Sequence, residues 1–138
     1  MTRSILMLEH DDDDRYITQA VFDENNYSVK LHFVDNSNDL FAFLISCEKA
    51  LMPFPALILL NNYALPLNAP EILRDLKGNP KYAHIPVVVL AGTMDSDILR
   101  RCYAMGANSF IKKPSSGAEI SHKISAFVRY WFETVELP

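Results

Sequence analysis

Glycine is scarce in this chain: four residues in 138, at positions 78, 92, 106 and 117. No two are close enough to form a phosphate-cradling loop, which argues against the glycine-rich nucleotide and dinucleotide fingerprints. Cysteine is scarcer still. Cys47 and Cys102 fall in two separate predicted helices, so packing in a reducing compartment explains them better than a disulfide. Positive charge is in the minority, with 13 Lys and Arg against 17 Asp and Glu and a net charge of −4. Nothing electrostatic therefore points to nucleic acid or to an anionic membrane. No apolar run nears the roughly 18 residues of a spanning helix. Met1-Thr2-Arg3-Ser4-Ile5 lacks the long apolar region of a signal peptide, and the expected location is the cytoplasm. No nucleophile–base pair marks the chain as an enzyme.

What is present is a regular alternation. Pro55-Ala56-Leu57-Ile58-Leu59-Leu60-Asn61-Asn62 is an unbroken aliphatic run that ends in two amides. Such a run reads as a strand buried on both faces, in the middle of a parallel sheet. Ile5-Leu6-Met7-Leu8 and Val87-Val88-Val89-Leu90 are of the same type. Residues 29–34 instead alternate, with Val29, Leu31 and Phe33 on one face and Lys30 and His32 on the other, as in an edge strand. A fifth, short strand is predicted over 108–111. Helical spacing is read over 13–24, 38–49, 71–78, 95–105 and from 117 onward. Pro70 fits the first turn of the third helix and Gly78 its end. In the last helix Ile120, Ile124, Phe127 and Trp131 form one stripe.

Five βα units imply one flavodoxin-like α/β domain over residues 1–138, with right-handed crossovers. Three doubly buried strands and one edge strand fit the sheet order 2-1-3-4-5. In that topology ligands lie beyond the carboxyl ends of the strands. His10 and Asp11, Asn61, Ala91 and Gly92, and Lys113 and Pro114 then share one rim. Acids, a central residue and a lysine gathered there suit a phosphoryl group and a hard cation.

Those residues carry a resemblance to a known family. Ile5-Leu6-Met7-Leu8-Glu9-His10-Asp11, the stretch 55–60, His84-Ile85-Pro86-Val87-Val88-Val89-Leu90, Gly106-Ala107-Asn108-Ser109-Phe110 and Lys112-Lys113-Pro114 resemble the receiver domain of two-component response regulators. The resemblance covers essentially the whole chain. The C-terminal Phe127-Val128-Arg129-Tyr130-Trp131-Phe132 and Val135-Glu136-Leu137-Pro138 resemble the stand-alone regulators that partner phytochromes and hybrid kinases. The resemblance implies an aspartate after strand three that a histidine kinase phosphorylates. It also implies two acids after strand one for Mg²⁺, a Thr or Ser after strand four, and a Lys-Pro pair after strand five. On that pattern Asp11 matches the second acid and the cation ligand, Lys113 the lysine, Pro114 the proline and Phe110 the aromatic switch position.

The departures fall on the chemistry. Asn61 stands at the phospho-acceptor position, His10 at the first acid, Ala91 at the hydroxyl residue, and Asn68-Ala69 where Asp-Gly is usual. An amide cannot attack phosphorus as a carboxylate does, and fewer carboxylates weaken a Mg²⁺ site. The expectation is a pseudo-receiver with no resident cofactor and at most weak Mg²⁺. It would act by binding a histidine kinase, a phosphotransfer protein or another regulator. Lys113 is then expected to pair with Asp11. His10 is open between a metal ligand, a proton-sensitive group and an exposed rim residue. Leu99, Tyr103, Val128 and Phe132 lie off the predicted core stripes and are expected to form a partner surface, including a homodimer through the C-terminal helix. Two alternatives stand: a receiver phosphorylated on Asp11 or Asp12, and a flavodoxin-like domain that binds a small ligand.

Overall fold

Alternate residues of one strand explain the architecture. In the strand Leu57–Asn61, Leu57 and Leu59 pack on one side of the sheet and Ile58 and Leu60 on the other. Both faces are covered, so the four positions before Asn61 are apolar, and the period-2 polar alternation of a half-exposed strand is absent. In the computed structural model, which describes residues 3–25, 27–62, 66–93, 95–113 and 117–138, the elements alternate along the chain. They are β1 (Arg3–Leu8), α1 (Asp12–Glu24), β2 (Val29–Val34), α2 (Ser37–Lys49), β3 (Leu57–Asn61), α3 (Ala69–Lys77), β4 (Val87–Ala91), α4 (Ser96–Ala104), β5 (Ser109–Lys112) and α5 (Gly117–Val128). The sheet is parallel throughout, in the order β2-β1-β3-β4-β5. This is the flavodoxin-like (βα)5 sandwich expected from the sequence.

Two apolar layers flank the sheet. On one side Leu6, Leu8, Ile58, Leu60, Val87 and Val89 meet Leu40 and Leu44 of α2, Ile72, Leu73 and Leu76 of α3, and Cys102 of α4. On the other, Ile5, Met7, Leu57, Leu59 and Val88 meet Phe22 of α1 and Phe127, Val128 and Trp131 at the C-terminal end. Cys47 and Cys102 are free and buried, and burial raises both thiols above their ordinary value. Among the described residues no helix is long and apolar enough to cross a membrane.

The helix starts place the loops of the rim. Asp11, Asn36, Asn68 and Asp95 each cap a helix by accepting a backbone N–H. At α3 the cap is reciprocal: Asn68 accepts from Glu71 N, and Glu71 Oε1 accepts from Asn68 N. Gly106 sits at φ +106°, and an added Cβ would come within 2.8 Å of Lys77 Cγ. The turn from α4 into β5 therefore requires glycine.

Two surface expectations are corrected. Val128, expected on the partner surface, is 1% exposed and part of the core. Phe132 also packs against that core. Val128 closes α5 four residues beyond Ile124 and eight beyond Ile120, so ordinary helical spacing widens the core stripe to include it. Phe132 lies in the π-helical turn Arg129–Thr134 that follows, where the extra residue per turn departs from the 3.6 spacing. Met105 is exposed because α4 ends before it and it serves as C-cap. Tyr103 is 49% exposed and Leu99 partly so, while Phe110 is half-buried against the α3/α4 side of the core. Val128→Ala is expected to lower the urea-unfolding free energy by about 2 kcal/mol, the cost of emptying a buried site. A change within about 0.5 kcal/mol, normal for a surface residue, would return Val128 to the surface.

Candidate functional site

The carboxyl ends of β1, β3, β4 and β5 bring Glu9, Asn61, Ala91 and Lys113 to one rim. Glu9 follows β1 directly, and its side chain is wholly buried at 0% exposure. A buried carboxylate needs donors and a counter-charge. Asn61, the last residue of β3 and 8% exposed, donates its Nδ2 to Glu9 Oε2 at 2.7 Å. Lys113, just past β5, donates its Nζ to Glu9 Oε1. Both carboxylate oxygens are thus held by nitrogen donors of the chain itself.

Asp14, on the first turn of α1, accepts a second bond from Lys113 Nζ at 2.9 Å. Burial alone would raise its carboxyl, but the hydrogen bond and charge of Lys113 outweigh that and hold it below its ordinary value of 3.8. Burial would lower the Lys113 ammonium, and its two carboxylate partners instead raise it above 10.5. Arg15 closes the back of the rim. Its Nε donates to the Glu9 carbonyl, its guanidinium pairs with Asp35 after β2, and it lies 5.3 Å from the Phe33 ring centroid.

The sequence reading assigned these roles differently. Asp11, proposed there as cation ligand and Lys113 partner, is exposed and accepts from Asp14 N at 2.9 Å as the cap of α1. The pairing falls to Glu9 and Asp14 because α1 begins at Asp12 and its first turn carries Asp14 towards β5. His10 has a side chain 62% exposed, with Nδ1 3.9 Å from Glu9 Oε2. Ala91 is fully buried, and its carbonyl oxygen accepts from Lys113 N at 2.7 Å. Asn68 is in the capping box of α3. Pro114 lies outside the described residues. Glu9 was missed as a site residue. The available signal was an acid closing the β1 apolar run at the same rim as Asn61 and Lys113.

The donor set can be tested against a divalent cation. Mg²⁺ needs several oxygens free to turn towards it in near-octahedral geometry. Both oxygens of Glu9 face N–H donors, Asp14 is engaged by Lys113, and Asp11 by the helix cap. Among the described residues no three His, Cys, Asp or Glu side chains are grouped to hold a metal. The residues present do not fit a resident Mg²⁺: an ammonium and an amide already satisfy the carboxylates.

A parallel 2-1-3-4-5 sheet with a carboxylate, a β3-terminal residue and a lysine meeting at its rim defines a receiver-type domain. No protein-family model matches the chain. Response regulator Rcp1 of Synechocystis sp. is 28% identical over 135 residues, covering 97% of this chain and 92% of that protein. The probable methanogenesis regulatory protein FilR2 of Methanothrix harundinacea is 24% identical over 127 residues, covering 92% and 82%. Among solved structures, the Mn(2+)-bound form of Rcp1 superposes with a TM-score of 0.89 at 28% identity, over 99% of each chain. The phosphorylated cyanobacterial phytochrome response regulator RcpA matches with a TM-score of 0.91 at 24% identity, over 100% and 99%, a likeness of fold. Over nearly its whole length the chain is similar to response-regulator receiver domains of two-component signalling.

Two outcomes test the rim network. Lys113→Met strips the buried Glu9 of its counter-charge and is expected to cost about 3–5 kcal/mol in urea unfolding near neutral pH. Adding Glu9→Gln to that variant is expected to recover most of the loss, and failure to recover would uncouple the two residues. The second concerns pH. Asp14 has a depressed folded value, so its contribution is present above 3.8 and is lost as pH falls through that folded value. Asp14→Asn is expected to flatten this acid limb of the stability profile, measured as unfolding midpoint against pH.

Proposed function

We propose that this receiver domain is a pseudo-receiver: it signals by binding other proteins and not through an acyl phosphate on β3. The observation that carries the reading is the hydrogen bond from Asn61 Nδ2 to the buried Glu9 carboxylate, which Lys113 also engages. A phospho-acceptor at this place must be a carboxylate that attacks phosphorus. An amide carries no charge, and its lone pairs are delocalised. Its N–H group is here turned towards Glu9. Ala91 offers no hydroxyl to read a phosphoryl group. Rcp1, a relative, has been solved with Mn(2+). In this chain the Lys113 ammonium supplies the positive charge that the carboxylates would otherwise take from a cation, so Mg²⁺ binding is weak or absent.

On this reading the chain is one receiver domain over residues 1–138 that acts as a stand-alone cytoplasmic regulator and not as an enzyme. Its partners are a histidine kinase, a phosphotransfer protein or another regulator. Leu99 and Tyr103 of α4, with the half-buried Phe110 beside them, form a face on which such a partner or a second copy can dock. The exposed Tyr130 gives the C-terminal end a contact of the same type. Activity is then set by which partner is present, not by a phosphorylated fraction.

Intact mass after incubation with Mg²⁺ and a small phosphodonor is expected to show the unmodified chain. A stoichiometric phosphate adduct overturns the reading, and its mapping to Asp11 or Asp12 would establish the phosphorylated alternative. Asn61→Asp sets a second carboxylate against Glu9, and like charges that close repel. That variant is expected to melt below the parent in chelator and to regain stability with Mg²⁺, while the parent is indifferent to Mg²⁺. Equal stabilisation of both chains by Mg²⁺ would contradict the proposal.

A further inference from the structure

A cavity of about 100 Å³ lies between the sheet and the α1/α5 pair. Met7 and Leu59 of the sheet, Ile17 of α1, and Ile120, Ile124 and Phe127 of α5 supply much of its wall. The first turn of α1 carries Asp14 at the rim and the helix runs down past Ile17, so three polar residues of the lining, Glu9, Asp14 and Lys113, gather at the rim end. We infer that this cavity is a binding site for a small uncharged apolar molecule, of the size of one aromatic ring or a short branched hydrocarbon.

Three observations choose that class. The wall is almost wholly apolar, and an apolar void of this kind excludes water and takes up apolar guests. An engineered cavity of about 150 Å³ in another protein stays dry and binds benzene or xenon. The charged groups on the lining balance, with Glu9 and Asp14 against Lys113 and Lys123, so there is no net charge to favour an ion. The polar groups are also already engaged within the chain. Lys113 binds Glu9 and Asp14, Lys123 Nζ donates to the Lys112 carbonyl at 2.8 Å, and the Thr18 hydroxyl donates to the Asp14 carbonyl at 2.8 Å. A ligand with a strongly polar head would have to break one of these bonds.

The position of the cavity gives the ligand a consequence. It touches α1, α5 and the underside of the Glu9–Lys113–Asp14 network at once. An occupant therefore stabilises one packing of α1 against α5, and the ligand becomes an input to the same rim. The site stands on the cavity and its lining. It does not depend on whether Asn61 can be phosphorylated, and its test does not involve phosphate.

The test uses the full chain with ¹³C-labelled isoleucine methyl groups, titrated with benzene and with toluene and followed by NMR. The signals of Ile17, Ile111, Ile120 and Ile124, all on the lining, are expected to move saturably. That of Ile45, exposed on α2, is expected to stay in place. Ile120→Phe fills the void and is expected to weaken binding by about tenfold or more, as one misfitted group does in an apolar pocket. The native titration decides the question by itself if that variant does not fold. Absence of saturable movement overturns the proposal, as does equal movement at Ile45 or undiminished binding in a folded Ile120→Phe chain.

Discussion

A carboxylate with no exposure to water must be neutralised where it stands, and the rim of this sheet is arranged around that constraint at Glu9. β1 delivers Glu9 into the interior at the point where the strand ends. Its charge requires a cation within reach, and β5 ends one residue before Lys113. Its second oxygen requires a donor, and β3 ends in an asparagine. Asp14 uses a further N–H of the Lys113 ammonium, which joins α1 to the same network. Arg15 then holds the Glu9 carbonyl while pairing with Asp35 beyond β2. The network thus ties β1, β2, β3, β5 and α1 together at one end of the sheet. Among the described residues no buried side-chain nitrogen or oxygen lacks a partner.

The same arrangement explains why three departures from the receiver pattern agree with one another. With an acid at position 61, Glu9 and its neighbour would repel at hydrogen-bond distance, and a divalent cation would be the natural remedy. With an amide there, the contact becomes attractive and no external cation is needed. If, as proposed, no phosphoryl group forms, a hydroxyl at position 91 has no phosphoryl oxygens to meet, and alanine fits the fully buried end of β4. On the pseudo-receiver reading, loss of the acceptor, of the cation site and of the hydroxyl are one change, with the Asn61–Glu9 bond at its centre.

Most of the fold was legible in the sequence because the strands are buried on both faces. Runs such as Leu57 to Leu60 and Val87 to Leu90 have no polar alternation, and the half-exposed Val29 to Val34 marked the edge. The site was legible in outline through Asn61, Ala91 and Lys113. Its partners were not. Counting acids after β1 gave weight to the exposed Asp11, whereas burial decides the matter and selects Glu9. The spacing of three between Asp14 and the helix cap is ordinary, so nothing local marked Asp14 as the residue that reaches Lys113. The C-terminal stripe was drawn too narrow at Val128, which stands four residues after Ile124 on α5 itself, and Phe132 was hidden by the π-helical turn, which has no distinct apolar period in so short a stretch. The Asn68…Glu71 capping box is present in the sequence as a pair three residues apart that brackets Pro70.

The central claim is that Asn61 and Lys113, and not a metal ion, satisfy Glu9. NMR of the Asn61 side-chain amide tests it most directly. A buried Asn61–Glu9 hydrogen bond requires two amide proton signals that exchange slowly with water and stay in place as Mg²⁺ is added to millimolar concentrations. Rapid exchange, or a saturable movement of those signals with Mg²⁺, would show that the cation displaces the amide and would contradict the claim.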